Sequence, residues 1–252
     1  MYRQRLFTSM LIIFLSTPAF AHFPILKAEL PFYQLNQSIQ LTFSVGHPFE
    51  QEFEDAAQPE KLSVLLPSGR EIDLSDQLKS ESAQAAGESY RFWSVSYDIR
   101  QKGDLIFALN TKPDVDEETI YQEFIKTIIH VENMDGWRQR SGQPVEILPL
   151  TRPYGLLPGD VFTAQVLIGE KPVANTEVYI EHYEDSPPQE LPPEPFITRV
   201  VVTDPNGVFS CTLPEKGWWI CAALVEDAGP IDYQDKKLGL SALAAIWVYA
   251  GK

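Results

Sequence analysis

Residues 39–45 read Ile-Gln-Leu-Thr-Phe-Ser-Val, with an apolar side chain at every second position. Successive side chains of a β-strand point to opposite faces of its sheet, so this alternation predicts a strand with one buried face. The same pattern recurs at residues 93–97 and 162–168. The sequence therefore predicts a fold built from half-buried strands.

Further strands are predicted at about 60–66, 103–109, 124–132, 175–183, 196–203, 207–213, 218–225 and 242–249. Turn signals with a proline or a glycine separate them, as at Pro67-Ser68-Gly69 and Asp204-Pro205-Asn206-Gly207. Residues 116–124 alone suggest a short helix, because acidic residues open the segment. Short strands between tight turns predict an all-β protein with two antiparallel immunoglobulin-like β-sandwich domains in tandem.

The first 21 residues are typical of a secretory signal peptide. Arg3 and Arg5 precede an apolar stretch, and Ala19-Phe20-Ala21 is a small-x-small cleavage site. If the signal peptide is cleaved after Ala21, we expect a periplasmic protein that does not insert directly into the membrane. The polar segment 135–144 contains glycine and marks the predicted boundary between an N-terminal domain, 22–140, and a C-terminal domain, 141–252.

The composition limits the possible partners. Of the 252 residues 44% are hydrophobic and 12% aromatic, which is typical of a folded globular protein. Loss of the two signal-peptide arginines lowers Lys+Arg from 20 to 18 against 35 acids, so the mature net charge is about −17. Such a surface repels nucleic acid and attracts cations.

His22 becomes the first residue of the mature chain if cleavage follows Ala21. It then carries an α-amine and an imidazole, which together can chelate a divalent transition metal. A frayed, solvated terminus is the alternative. Pro24 limits the chelate, because a proline has no amide hydrogen to exchange for a metal. The remaining ligands must therefore come from elsewhere in the fold.

His47 is the natural second ligand, because it follows a predicted strand at one end of a sandwich. Glu50 and Glu52 can add oxygen ligands or orient the imidazole, although a hydrogen-bonding role for His47 is equally compatible with the sequence. His130 is predicted to be solvated on the more polar face of its strand. His182 follows Val178 and Ile180 on an apolar face and is either a core-edge histidine or a further ligand.

Cys211 and Cys221 are the only cysteines, and they flank residues 213–218, which suggest a hairpin turn. A register that places them opposite each other permits a disulfide, whereas a shift by one residue forbids it. Signatures of enzymes are absent: the chain has no GxSxG, HExxH or glycine-rich phosphate loop. The sequence therefore predicts a protein that is not an enzyme.

Several motifs resemble those of one bacterial family, the periplasmic components of cobalt/nickel ABC transport of the energy-coupling-factor type. The motifs are Ala21-His22-Phe23, His47-Pro48-Phe49-Glu50, the stretch 144–156, Pro158-Gly159-Asp160-Val161-Phe162, Thr203 to Phe209, Gly217-Trp218-Trp219, Ala222-Ala223-Leu224 and Ala244 to Val248. The resemblance implies immunoglobulin-like β-domains in an accessory protein that binds Ni²⁺ or Co²⁺ and hands it to membrane-embedded transporter subunits.

The predicted metal ligands are His22, His47, Glu50 and His182. Two alternatives remain open at this point. A mature N-terminal histidine beside a second histidine on a sandwich also resembles the copper-binding histidine brace. A metal-free module that only docks on a transport complex is the third possibility.

Overall fold

The computed structural model describes residues 22–252 and has no α-helix in that range. Strands in the first half are β1 Phe23–Ala28, β2 Phe32–Tyr33, β3 Ser38–His47, β4 Glu52–Glu54, β5 Lys61–Leu65, β6 Glu71–Asp73, β7 Lys79–Ala85, β8 Glu88–Asp98, β9 Leu105–Asn110, β10 Asp114–Asp116 and β11 Thr119–Val131. Strands in the second half are β12 Val145–Pro149, β13 Val161–Ile168, β14 Lys171–Pro172, β15 Glu177–His182, β16 Arg199–Val202, β17 Val208–Thr212, β18 Gly217–Val225, β19 Pro230–Tyr233 and β20 Lys236–Ala250. Single 3₁₀ turns lie at Ser75–Gln77 and Glu194–Phe196.

The strands form three sheets. The front sheet has the order β1-β3-β8-β7, with β4 paired to β3. The central sheet has the order β16-β15-β18-β20-β11-β9-β5-β6, with β19 on β20 and both β10 and β2 on β11. The back sheet consists of β12, β13, β14 and β17. Strands from both sides of the predicted boundary at residue 140 share the central sheet, and that boundary stays a prediction.

The central sheet is covered on both faces, because alternate residues of its strands belong to two different cores. Ala245 and Trp247 of β20 pack with the front sheet, whereas Ala244 and Ile246 pack with the back sheet. The prediction of an all-β, antiparallel sandwich fold is confirmed. The helix suggested for 116–124 is wrong, because Glu117 takes a positive φ of 49° in the turn between β10 and β11.

An ion pair with no solvent exposure joins the central and back sheets. Lys126 Nζ of β11 lies 2.8 Å from Glu146 Oε2 of β12, and the two side chains are 1% and 0% exposed. Glu146 also accepts hydrogen bonds from Arg140 and Ser141. Burial raises the pKa of Glu146, but the charge and hydrogen bond of Lys126, with those of Arg140 and Ser141, lower it to about 2. Both side chains are therefore charged, and removing either one would leave the other as an unpaired charge in the interior.

Two hydrogen bonds hold the loop after His47 against the end of β15 and the residues that follow it. Phe49 N donates to Glu181 Oε1 at 3.1 Å, and Glu184 N donates to the Pro48 carbonyl at 3.0 Å. The pKa of Glu181 is raised to about 7, mainly by burial; the charges of Glu50 and Glu194 also raise it, and the hydrogen bonds from Thr198 and Phe49 partly offset them. These contacts fix one end of the front sheet against the central sheet.

Two expectations about individual residues are corrected by this arrangement. His130 is not a solvated strand residue: its Nδ1 lies 2.8 Å from Asp104 Oδ1, and its ring stacks on Tyr154 at 4.6 Å. Segment 213–218 is not a hairpin turn within one sheet, because β17 belongs to the back sheet and β18 to the central sheet. Cys211 and Cys221 face each other in the core between the central and back sheets. They are free thiols, with 3.8 Å between their sulfur atoms.

Replacing Lys126 by methionine is expected to lower the free energy of unfolding by about 3–5 kcal/mol, because it leaves Glu146 buried without its main counter-charge. Denaturant unfolding of both proteins measures the difference. The matched control is Lys102→Met, which removes an exposed pair with Glu132 and is expected to cost less than about 1 kcal/mol. Equal losses in the two variants would contradict a structural role for the buried pair.

The raised pKa of Glu181 predicts a specific pH dependence of stability. The folded state holds this proton up to about pH 7 and the unfolded state only to about 4.5, so the free energy of unfolding falls as pH rises between these values. The contribution is on the order of 3 kcal/mol. Glu181→Gln is expected to reduce that slope by the share of one carboxyl group, leaving the share of Glu123, whereas the exposed control Glu190→Gln leaves the slope unchanged. Parallel pH profiles for Glu181→Gln and the parent would refute the prediction.

Candidate metal site

The register of β1 against β3 brings the two predicted histidine ligands together. Phe23 lies opposite Gly46 in this antiparallel pair, so the next residue along, His22, lies beside His47. The centroids of their rings are 4.8 Å apart, and the ring planes are inclined by 52°. The juxtaposition of these histidines is therefore a property of the strand pairing.

A tight hairpin adds two carboxylates to the same surface. Strand β4 folds back on β3 with Glu52 opposite His47 and Glu54 opposite Val45, so both acids share the face of His47. His22 Nδ1 lies 3.8 Å from Glu54 Oε1. Gly46 permits the close approach of β4, because a Cβ there would collide with the Glu52 carbonyl oxygen. We call His22, His47, Glu52 and Glu54 the first cluster.

Two cavities meet at the first cluster. The smaller, of about 370 Å³, is bordered by all four of its residues. The larger, of about 880 Å³, lies between the front and central sheets, and His22 and Glu54 line both. The charged groups around the larger cavity are Glu54, Asp55, Asp114, Glu123, Glu226 and Lys112. Five carboxylates against one ammonium group give this cavity a negative potential that attracts cations.

One carboxylate that lines the larger cavity, Glu123, lies in surroundings that favour its protonated form. The pKa of Glu123 is raised to about 7, mainly by burial and in part by the negative charge of Glu54. A bound cation would relieve this repulsion between the two carboxylates.

The spacing of the two imidazoles suits a shared metal ion. A transition metal bonds to histidine nitrogen at about 2.0–2.1 Å, which places it about 3.1 Å from each ring centroid. If one nitrogen of each ring faced a common ion, centroids 4.8 Å apart would subtend about 100° at the metal, an angle compatible with tetrahedral or square-planar coordination. In the described part of the chain, the one group of three side chains whose ligand atoms lie within 4.8 Å of one another is His182, Glu184 and Glu215, so the first cluster would need side-chain rotation to offer a third donor such as Glu54.

The structure separates the other two predicted ligands from the first cluster. Glu50 lines neither cavity; its Oε2 is buried without a hydrogen-bond partner, and its charge acts on Glu181. His182 lies on the opposite face of the central sheet, where it contacts Glu184, Lys216 and Trp219. The predicted cleavage after Ala21 lies outside the described residues.

Glu54 was not identified from the sequence. The alternation of Glu52 and Glu54 directly after the Gly46-His47-Pro48 turn is the signal that points to it, because a hairpin places residues two apart on one face. Within residues 22–252, no helix has the length and apolar character needed to span a bilayer.

Comparisons with known proteins give a family and distant structural similarities. No curated protein matches the chain. A variant of alpha-2-macroglobulin from Salmonella is 15% identical with a TM-score of 0.28 over 91% of this chain, which spans only 15% of that protein. The D0-D1 domain of intimin is 14% identical with a TM-score of 0.22, over 90% of this chain and 98% of its own. A DUF4785 family protein from Legionella pneumophila is 11% identical with a TM-score of 0.27, over 88% of this chain and 55% of its own length.

A family model covers most of the sequence. It matches residues 19–227, which include the first cluster and the whole of strands β1–β18. The chain therefore belongs to the family described as domain of unknown function DUF4198.

Proposed function

We propose that this protein is a periplasmic accessory protein that captures Ni²⁺ or Co²⁺ and delivers it to membrane-embedded transporter subunits. The proposal depends on one observation, the 4.8 Å separation of the His22 and His47 rings beside the carboxylate of Glu54. The resemblance to cobalt/nickel transport components favours these two metals among those that imidazole binds.

The donor set fits a divalent transition metal. Cleavage after Ala21 would add the α-amine of His22 to its imidazole, and His47 and Glu54 would complete a site of nitrogen and oxygen ligands. Pro24 offers no amide nitrogen, so the terminus alone cannot wrap the ion. The fold must therefore supply the remaining ligands, and the β1–β3 register puts His47 within reach.

The exposure of the cluster is compatible with handing a metal to a partner. The side chains of His22 and Glu54 are 41% and 54% exposed, and the ion would lie at the mouth of an acidic cavity. An accessible ion can exchange ligands with an acceptor, whereas an enclosed one cannot. The surrounding carboxylates raise the local concentration of cations before capture.

Removing either imidazole is expected to weaken Ni²⁺ binding at least tenfold, measured by calorimetry on protein whose first residue is His22. His22→Ala and His47→Ala each delete one nitrogen donor. A chain that begins at Ala21 is the matched control for the terminus, because it keeps both imidazoles and only blocks the α-amine of His22. An intermediate loss in that control would assign the amine a share of the affinity.

An unchanged Ni²⁺ affinity in both alanine variants would contradict the assignment of His22 and His47 as metal ligands. Cu²⁺ is expected to bind the same donors at least as tightly, following the Irving–Williams order. Copper rather than nickel or cobalt in protein purified from the periplasm would therefore favour the histidine-brace alternative. The metal content of the exported protein separates the two.

A further inference from the structure

A second group of metal-binding side chains lies at the end of β15, on the face of the central sheet that packs against the back sheet. His182, Glu184 and Glu215 each offer one ligand atom, and these atoms lie within 4.8 Å of one another. None of the three borders the cavities of the first cluster. We call these three residues the second cluster.

The imidazole of His182 is held in one orientation. Its side chain is 8% exposed, and its ring packs on Trp219 at a centroid distance of 4.5 Å. Its Nε2 lies 3.1 Å from the Lys216 carbonyl oxygen. A carbonyl oxygen only accepts hydrogen bonds, so Nε2 carries the hydrogen. Hydrogen bonds from one ring nitrogen to a backbone carbonyl orient the histidine ligands of many metal sites.

The turn that supplies Glu215 is shaped around that imidazole. Gly217 has a φ of +136°, and a Cβ at this position would lie 2.6 Å from His182 Nε2. Trp219 Nε1 donates to the Glu215 carbonyl at 3.1 Å, which fixes the start of the turn. The backbone that carries Glu215 is therefore built against the ring of His182.

The other ring nitrogen faces a negative group. His182 Nδ1 lies 3.0 Å from Glu184 Oε1. A neutral ring with hydrogen on Nε2 has its lone pair on Nδ1, so two acceptors face each other at this distance. The contact therefore needs a proton, on Nδ1 or on the Glu184 carboxyl group, or a cation between the two atoms. Glu215 adds a second carboxylate, and two carboxylates with one imidazole match the charge and donor preference of a divalent first-row metal.

We propose that His182 Nδ1, Glu184 and Glu215 form a second binding site for a divalent first-row metal, independent of the site at His22 and His47. The site is formed by the end of β15 and the β17–β18 connection. Its nitrogen donor is almost fully enclosed, unlike the exposed His22 of the first cluster.

Zn²⁺ calorimetry on the full mature chain carrying His22→Ala and His47→Ala tests the second site in isolation. We expect one remaining equivalent of Zn²⁺ to bind. Adding Glu215→Gln is expected to weaken that binding at least tenfold, because an exposed carboxylate ligand is lost without disturbing the core. Glu190→Gln, which changes an exposed acid in the connection between β15 and β16, is the matched control and should leave the affinity unchanged.

Nitrogen-15 NMR of the histidine rings in the same protein gives a second readout. Zn²⁺ should shift His182 Nδ1 while Nε2 keeps its hydrogen. No Zn²⁺ binding in the double alanine background, equal affinities for the Glu215→Gln and Glu190→Gln variants, or a proton on Nδ1 that Zn²⁺ does not displace would each overturn the proposal. None of these results bears on the first cluster, whose failure appears only in protein with His22 and His47 intact.

Discussion

The pairing of β11 with β20 is the constraint on which the rest of the structure depends. These strands run parallel over nine residue pairs, from Thr119 opposite Gly239 to Thr127 opposite Trp247. Parallel strands are typically buried on both faces, and here the front and back sheets provide that cover. Successive side chains of β20 enter the two cores in turn, as Ala245 and Trp247 do on the front face and Ala244 and Ile246 on the back face. The front sheet, and the first cluster at its end, are positioned by packing on this pair.

Most strands could be predicted from the sequence, because alternation is a local property. The surroundings of β11 could not be predicted in this way, because an alternating pattern taken alone indicates one apolar and one solvated face. Both faces are in fact covered, so Lys126 and His130 are internal and each contacts an acid. Their partners, Glu146 and Asp104, are 20 and 26 residues away in sequence, and only the tertiary structure brings them together.

The candidate site was predicted in part. The chemistry of a terminal histidine identified His22 and His47, but only the register of β1 and β3 shows that they are neighbours; a shift by one residue would place them on opposite faces. Glu50 was chosen by proximity in sequence to His47. The loop carries it toward β15 and Glu181, whereas the returning strand β4 carries Glu54 to His22.

The two clusters differ in a way that suits different roles. The first has exposed side chains at the mouth of an acidic cavity, where a bound ion would be accessible, whereas the second holds its imidazole in the interior. They are connected through the backbone, because the Glu184 amide donates to the carbonyl of Pro48, the residue after His47. None of the three residues of the second cluster borders the cavities of the first, so the two proposed sites share no ligand and can be tested separately.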